Sequence, residues 1–248
     1  MKSLLFIGGT GFLGKSFFDY LNNAKLNKKK LSKIIILSRK RKRIKCKVKI
    51  SFINKSIVNL KSIPVTDYII YAANSKNNKE NINGVLNFKK LLNHEHKKTK
   101  ILFTSSGAVY GKINKKRTIK ETDLISINKV KNFTGYKRKY AIAKIKMEDE
   151  FRSLSIKGYR VSIARLFTFI GPRILMNETF AITNLINQAK NRHIKILKLN
   201  DNKDVYRGYM NSNDLIKWLF KILINSNKNF NIYNVGSDEA VTVENLAK

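Results

Sequence analysis

Lys2-Ser3-Leu4-Leu5-Phe6-Ile7-Gly8-Gly9-Thr10-Gly11-Phe12-Leu13-Gly14 is the stretch that decides the fold. Leu4 to Ile7 are four consecutive apolar residues, the length of a buried strand, and Gly8, Gly9, Gly11 and Gly14 crowd the turn before an apolar-periodic helix starts at Phe12. A strand, a glycine turn and a helix N-terminus in that order suit a dinucleotide pyrophosphate. A Cβ would block the anion's approach to the backbone, and the free N–H groups of the helix's first turn point at it. The spacing Gly8-x-x-Gly11-x-x-Gly14 differs from the commoner Gly-x-Gly-x-x-Gly, and a tight left-handed connection is the plainer reading of such a turn.

Working outward, strands are expected at Lys33–Leu37, Val48–Phe52 and Asp67–Asn74, then from Lys100 to Ser105 and Ser106, and at Ser162–Phe167, Ile194–Leu199 and Asn231–Val235. Helices are expected at Phe12–Asn23, Asn81–Asn93, from Tyr136 to Phe151, and at Phe180–Lys190 and Asn213–Asn225. The polar segment Ile113–Phe133 reads as a surface excursion. This alternation predicts an α/β fold, a Rossmann-type doubly wound parallel sheet covered on both faces. Ligands then belong at the C-terminal strand ends, where Gly8, Arg39, Ala73 and Ser106 fall.

The chain has 248 residues, enough for a full core, and its single cysteine, Cys46, excludes an internal disulfide and points to a reducing, cytoplasmic setting. No apolar run approaches the ~18 residues of a membrane span. The net charge of +35 is high enough to suggest nucleic acid as a partner. Lysine, however, is spread evenly over strands, helices and loops, and the basic runs Lys28–Lys30, Arg39–Arg43 and Lys112–Arg117 are broken by ordinary core segments. Composition therefore explains the charge better than a nucleic-acid surface does. His94 and His96 flank Glu95 in a lysine-rich loop and His193 stands alone, so no metal site is expected.

The strand Lys33–Leu37 runs into Ser38, Arg39, Lys40 and Arg41. An acid at this place would bind an adenosine 2′-hydroxyl and a basic residue a 2′-phosphate. With no carboxylate nearby in sequence, Arg39 favours NADP over NAD. Ala72 and Ala73 would let a nicotinamide lie close to the backbone. Tyr140 and Lys144 are one helical turn apart on one face, so the ammonium can draw the phenol, pKa about 10 in water, toward a working range. Ser106 could hold the same substrate oxygen as charge develops on it.

Five stretches together resemble one family: Gly8 to Gly14, Ser105 to Gly111, Tyr140 to Lys144, Arg165 to Arg173 and Tyr233 to Ser237. The chain looks like an extended short-chain dehydrogenase/reductase of the NAD-dependent epimerase/dehydratase family, which acts on nucleotide sugars. The resemblance implies a nucleotide-binding domain over 1–167, with 207–235 a candidate addition to its core, and a smaller substrate lobe over 168–248 that stops short of the family's usual length. It implies Ser106, Tyr140 and Lys144 as catalytic residues, with Asn81 supporting them. It further implies Gly8, Thr10, Gly11, Phe12, Leu13, Gly14, Ser38, Arg39, Ala72, Ala73, Tyr140 and Lys144 as cofactor contacts, Ser106 and Arg207 as substrate contacts, and a homodimer. The implied reaction is hydride transfer at a sugar carbon, most often C4, with Tyr140 moving the hydroxyl proton, as in an epimerase or a ketosugar reductase. Dehydratases of the family usually carry Asp and Glu after the serine or threonine, whereas this chain has Gly107 and Ala108, so a dehydratase would be of atypical pattern. An RNA-binding or scaffold member without catalysis is the alternative of another class, and the intact Ser106, Tyr140 and Lys144 speak against it.

Overall fold

The computed structural model describes residues 2–23, 31–111, 118–174, 181–190, 206–242 and 245–246. The first strand, β1 (Ser3–Ile7), sends Leu4 and Phe6 to one face and Leu5 and Ile7 to the other, all four buried, as a central strand of a covered sheet must. Then come α1 (Phe12–Asn23), β2 (Lys33–Leu37), β3 (Lys49–Ile53) and β4 (Tyr68–Tyr71). They are followed by α2 (Asn78–Leu91), β5 (Lys100–Ser106), α3 (Ile127–Lys131), α4 (Gly135–Ile156) and β6 (Arg160–Leu166). The remainder comprises β7 (Phe169–Ile170), α5 (Ala181–Lys190), β8 (Tyr206–Arg207), β9 (Met210–Asn211), α6 (Ser212–Asn225), β10 (Asn231–Val235) and β11 (Val241–Thr242).

Seven strands form one parallel sheet in the order β10-β6-β5-β4-β1-β2-β3. The chain winds outward from β1 through β2 to β3, then crosses back over β1 and winds the other way from β4. The topological switch therefore lies between β1 and β4, and a crevice opens there at the C-terminal strand ends. One face is covered by α2 and α4, with Val85, Phe88, Met147, Phe151 and Leu154 against Leu5, Tyr71, Phe103 and Ile163. On the other face, Phe17 and Phe18 of α1 and Leu215, Leu219 and Leu223 of α6 meet Phe6, Ile34, Ile70 and Leu102. The sheet's edge strand β10 pairs with β6, so this late segment belongs to the sheet.

The expected elements that fall within the described residues are present, several with shifted ends. The third strand lies one residue later than expected, and β4 stops at Tyr71, although Ala72 N still donates to Ile7 O (2.9 Å). The second helix begins at Asn78 rather than Asn81 because the Asn77 side chain caps it, accepting from Lys79 N (3.0 Å) and Glu80 N (3.3 Å). α4 ends where Gly158 takes φ +84°, a conformation that stops a helix. The surface excursion contains the short α3. Two strand pairs lie outside the main sheet, β7 with β9 and β8 with β11. The strand expected at Ile194–Leu199 and His193 lie outside the described residues. Among the described residues, no helix is long and apolar enough to cross a membrane.

Candidate active site

The glycine turn sits in the crevice at the switch point. Gly8, at φ +84°, donates its N–H to Leu37 O (2.9 Å), and a Cβ on it would lie 2.6 Å from Ala73 N. A Cβ on Gly14 would lie 1.9 Å from Gly9 O, so α1 rests directly on the turn. Gly11 differs: its Cβ would meet only Gly8 O, at 3.4 Å. Folding thus requires glycine at positions 8 and 14, while at 11 it leaves the exposed side of the turn clear. Together with the first-turn N–H groups of Phe12 and Leu13, which a helix cannot satisfy internally, that open side fits an approaching pyrophosphate. Ser38 joins the turn through a 2.7 Å hydrogen bond between its hydroxyl and that of Thr10.

Arg39 follows at the end of β2, but the sequence-based expectation that no carboxylate stands nearby is corrected by the fold. Glu80, in the first turn of α2, accepts from Arg39 Nη1 at 3.2 Å. The two are 41 residues apart, and only the crossover that returns β4 and α2 to the crevice brings them together.

Ser106, Tyr140 and Lys144 are brought together at the ends of β5 and α4. Ser106 caps the short turn of helix at Gly107–Tyr110, its hydroxyl accepting from Ala108 N (3.2 Å). Burial pushes the Tyr140 phenol above its usual 10, and the neighbouring Ser106 hydroxyl pulls it back in part. Lys144, 5% exposed, donates to Thr104 O (3.0 Å) and lies over the rings of Phe103 (5.1 Å) and Tyr140 (5.7 Å). Its burial brings the ammonium down from 10.5 to about 8, against the pull of the Glu148 carboxylate, so it keeps its charge at neutral pH. Tyr136, one turn before Tyr140, stacks on it with ring centroids 6.0 Å apart.

Behind this cluster lies a polar network that sequence reading missed. Glu148 accepts from Ser105 Oγ (2.5 Å) and pairs with Arg165 through Nε and Nη2, both side chains being almost fully buried. Arg165 Nη1 donates to the Tyr110 hydroxyl (2.7 Å), which donates to Asn234 Oδ1 (2.8 Å). Burial works against the Arg165 charge, and Glu148 and Tyr110 together more than offset it, so its pKa rises. Two signals were present: Glu148 continues the four-residue ladder of Tyr140 and Lys144, and Arg165 is a charge inside an apolar strand, which demands a partner.

Asn81 is buried, its amide committed to the loop after β4: it accepts from Ser75 N (2.6 Å) and donates to Ser75 O (2.8 Å). It therefore anchors that loop. Arg207 is exposed on β8, opposite Val241, and donates to Tyr206 O (3.1 Å). Its neighbour Gly208 lies tight against Ser237 and Glu239, at the end where Gly236 meets Phe167. Phe167 in turn covers Gly107, whose Cβ would lie 2.8 Å from its ring. The residue after the serine thus has no room for a side chain unless Phe167 moves.

The fold has many solved counterparts. The enzyme WbmF of Bordetella bronchiseptica, solved with NAD+, superposes with a TM-score of 0.76 at 18% identity, over 99% of this chain and 76% of that one. UDP-glucose 4-epimerase from Thermotoga maritima, solved with UDP-glucose, gives 0.76 at 19% identity over 99% and 80%. The dTDP-glucose 4,6-dehydratase of Bacillus anthracis, solved with NAD, gives 0.75 at 17% over 100% and 79%. At such identities the likeness establishes the fold. A search of curated proteins finds no match. The family model that matches is NAD dependent epimerase/dehydratase, over residues 4–236, and together with the glycine crevice and the clustered serine, tyrosine and lysine it makes this chain a member of that enzyme family.

Proposed function

We propose that the protein is an NAD(P)-dependent nucleotide-sugar epimerase or ketosugar reductase, moving hydride at a sugar carbon, C4 in the simplest case, with Tyr140 as the acid and base. The observation that carries this reading is the meeting of Ser106, Tyr140 and a buried, still charged Lys144 at the same C-terminal edge of the sheet as the glycine turn. Gly8, Thr10, Gly11, Phe12, Leu13, Gly14, Ser38, Ala72 and Ala73 would hold the dinucleotide, whose nicotinamide supplies hydride donation and acceptance when bound. Tyr140 carries the sugar hydroxyl proton. The Lys144 ammonium, 5.7 Å from the centre of the Tyr140 ring, would favour the phenolate as the proton leaves. Ser106 holds the oxygen that gains charge.

The absence of carboxylates at 107 and 108, with Phe167 lying over Gly107, favours this reading over elimination of water. Arg207 would grip the substrate's diphosphate, and Asn81 would keep the crevice loop in place. In the same reading residues 1–167, with the α6 and β10 segment, form the nucleotide-binding domain, and the rest of 168–248 the substrate lobe of a cytoplasmic homodimer. The dinucleotide is NAD or NADP: Arg39 offers a 2′-phosphate a partner, and Glu80 stands against it.

The test is to incubate the protein with UDP-glucose, UDP-N-acetylglucosamine or dTDP-glucose and each dinucleotide, and to follow the sugar by NMR. Tyr140→Phe is expected to lower turnover by about 10²–10⁴-fold while leaving dinucleotide affinity within a few-fold. Full turnover in that variant would refute the assignment.

A further inference from the structure

Arg39 and Glu80 meet at the rim of the crevice, and each is held from behind. On the β2 side, Ser38 is bonded to Thr10, and the Asn54 amide, with its nitrogen turned toward β2, donates to the carbonyls of Arg39 (2.9 Å) and Ser38 (3.2 Å). On the α2 side, Asn77 takes the N–H of Glu80, and the adjacent Asn81 is locked to Ser75. Both backbones are thus anchored by hydrogen bonds, and the fold brings the two side chains to one place. Both anchors adjoin the glycine turn, through Gly8 N to Leu37 O on one side and through the contact of Gly8 with Ala73 on the other. Among the described residues, Glu80 is the acid within ion-pair distance of Arg39.

We propose that Glu80 selects the dinucleotide: a carboxylate supplied by α2, steadied by Arg39, takes the adenosine ribose hydroxyls and disfavours a 2′-phosphate. The inference rests on reading the glycine turn as a dinucleotide site. An ionised carboxylate only accepts hydrogen bonds, so it suits a ribose diol that donates two. A phosphate monoester carries about −1.5 to −2 charges and, like the carboxylate, mainly accepts, so the two repel. Arg39 works the other way. Its guanidinium has five donors, of which Glu80 takes one, and the pair is exposed and hence weak, so the guanidinium can swing to a phosphate. Doing so would strip Glu80 of its counter-ion beside a dianion, whereas NAD leaves the pair intact. The result is a preference for NAD rather than a block on NADP. Glu80 lies in the first turn of α2, where the helix dipole favours a negative side chain.

The experiment is calorimetric titration of NAD+ and NADP+ into wild type, Glu80→Gln and Arg39→Ala at one salt concentration, with thermal melts to check folding. Wild type is expected to bind NAD+ the more tightly, and Glu80→Gln to move the ratio of affinities about tenfold or more toward NADP+. Arg39→Ala is expected to weaken NADP+ more than NAD+. Saturable binding with a ratio in Glu80→Gln unchanged within about twofold would overturn the proposal and leave the dinucleotide site standing. So would a wild type that prefers NADP+ and loses that preference in Glu80→Gln, since Glu80 would then be orienting Arg39 for the phosphate. Absence of binding by either dinucleotide in any of the three proteins would remove the site itself, and the proposal with it.

Discussion

Lys144→Met isolates the cost of holding a charged lysine inside this protein. Lys144 is 5% exposed, and burial lowers its pKa from 10.5 to about 8, opposed in part by the Glu148 charge. Because the folded value lies below the unfolded one, the native state loses its proton first. Between pH 8 and 10.5 the unfolded chain holds the extra proton, so the Lys144 contribution to stability rises with pH across that window. At about 1.36 kcal/mol per pH unit, the climb from pH 8 to about 9.5 amounts to about 2 kcal/mol. Near neutrality, wild type bears the full cost of the buried charge, about 3 kcal/mol, against about 1 kcal/mol for the hydrogen bond to Thr104 O that the variant gives up. Lys144→Met is therefore expected to be the more stable protein at pH 7, by about 2 kcal/mol, and to lose that advantage by about pH 9.5. Burial raises the Tyr140 phenol above its usual 10, beyond the pH 7 to 9.5 range compared, and the remaining groups are common to both proteins. Urea denaturation followed by circular dichroism at several pH values gives the two curves. Curves that stay parallel within about 0.5 kcal/mol from pH 7 to 9.5 would refute the premise that this ammonium is desolvated.

Two other perturbations follow from the packing. Gly14→Ala forces a Cβ to within 1.9 Å of Gly9 O, backbone against backbone, and should cost more than about 3 kcal/mol in chemical denaturation. Gly11→Ala should stay within about 1 kcal/mol of wild type while weakening NAD+ in calorimetry, and equal losses in the two variants would contradict the division between a folding glycine and a binding one. Glu148→Gln leaves Arg165 buried without its anion and should cost about 3–5 kcal/mol. The double change Glu148→Leu with Arg165→Met should cost clearly less than the two single losses together, and simple additivity in a double-mutant cycle would show the pair to be uncoupled.

The pattern of apolar runs made most of the scaffold legible. Lys33–Leu37 as a strand and Phe12–Asn23 as a helix appear at their expected bounds, because a strand covered on both faces must be apolar throughout and the helix signal follows its own periodicity. Ends set by side-chain capping were less legible: α2 starts three residues early since Asn77 takes the N–H groups of Lys79 and Glu80. The candidate site was legible where its members lie close in sequence, as Tyr140 and Lys144 do on one helix face. Ser106 was found through its place at a strand end.

The sequence by itself determined the alternation of strands and helices, the glycine turn after the first strand, and the residue types that a dinucleotide crevice and a tyrosine with a nearby ammonium require. These are local properties, carried by spacing along the chain and by the period of burial. Tertiary structure alone decided which charges meet. It set Glu80 against Arg39, joined Glu148 to Arg165 behind Lys144, and laid Phe167 over Gly107. The physical reason is that an ion pair or a close contact depends on distance in space, and the parallel sheet gathers at one edge the ends of strands that are tens of residues apart in the chain.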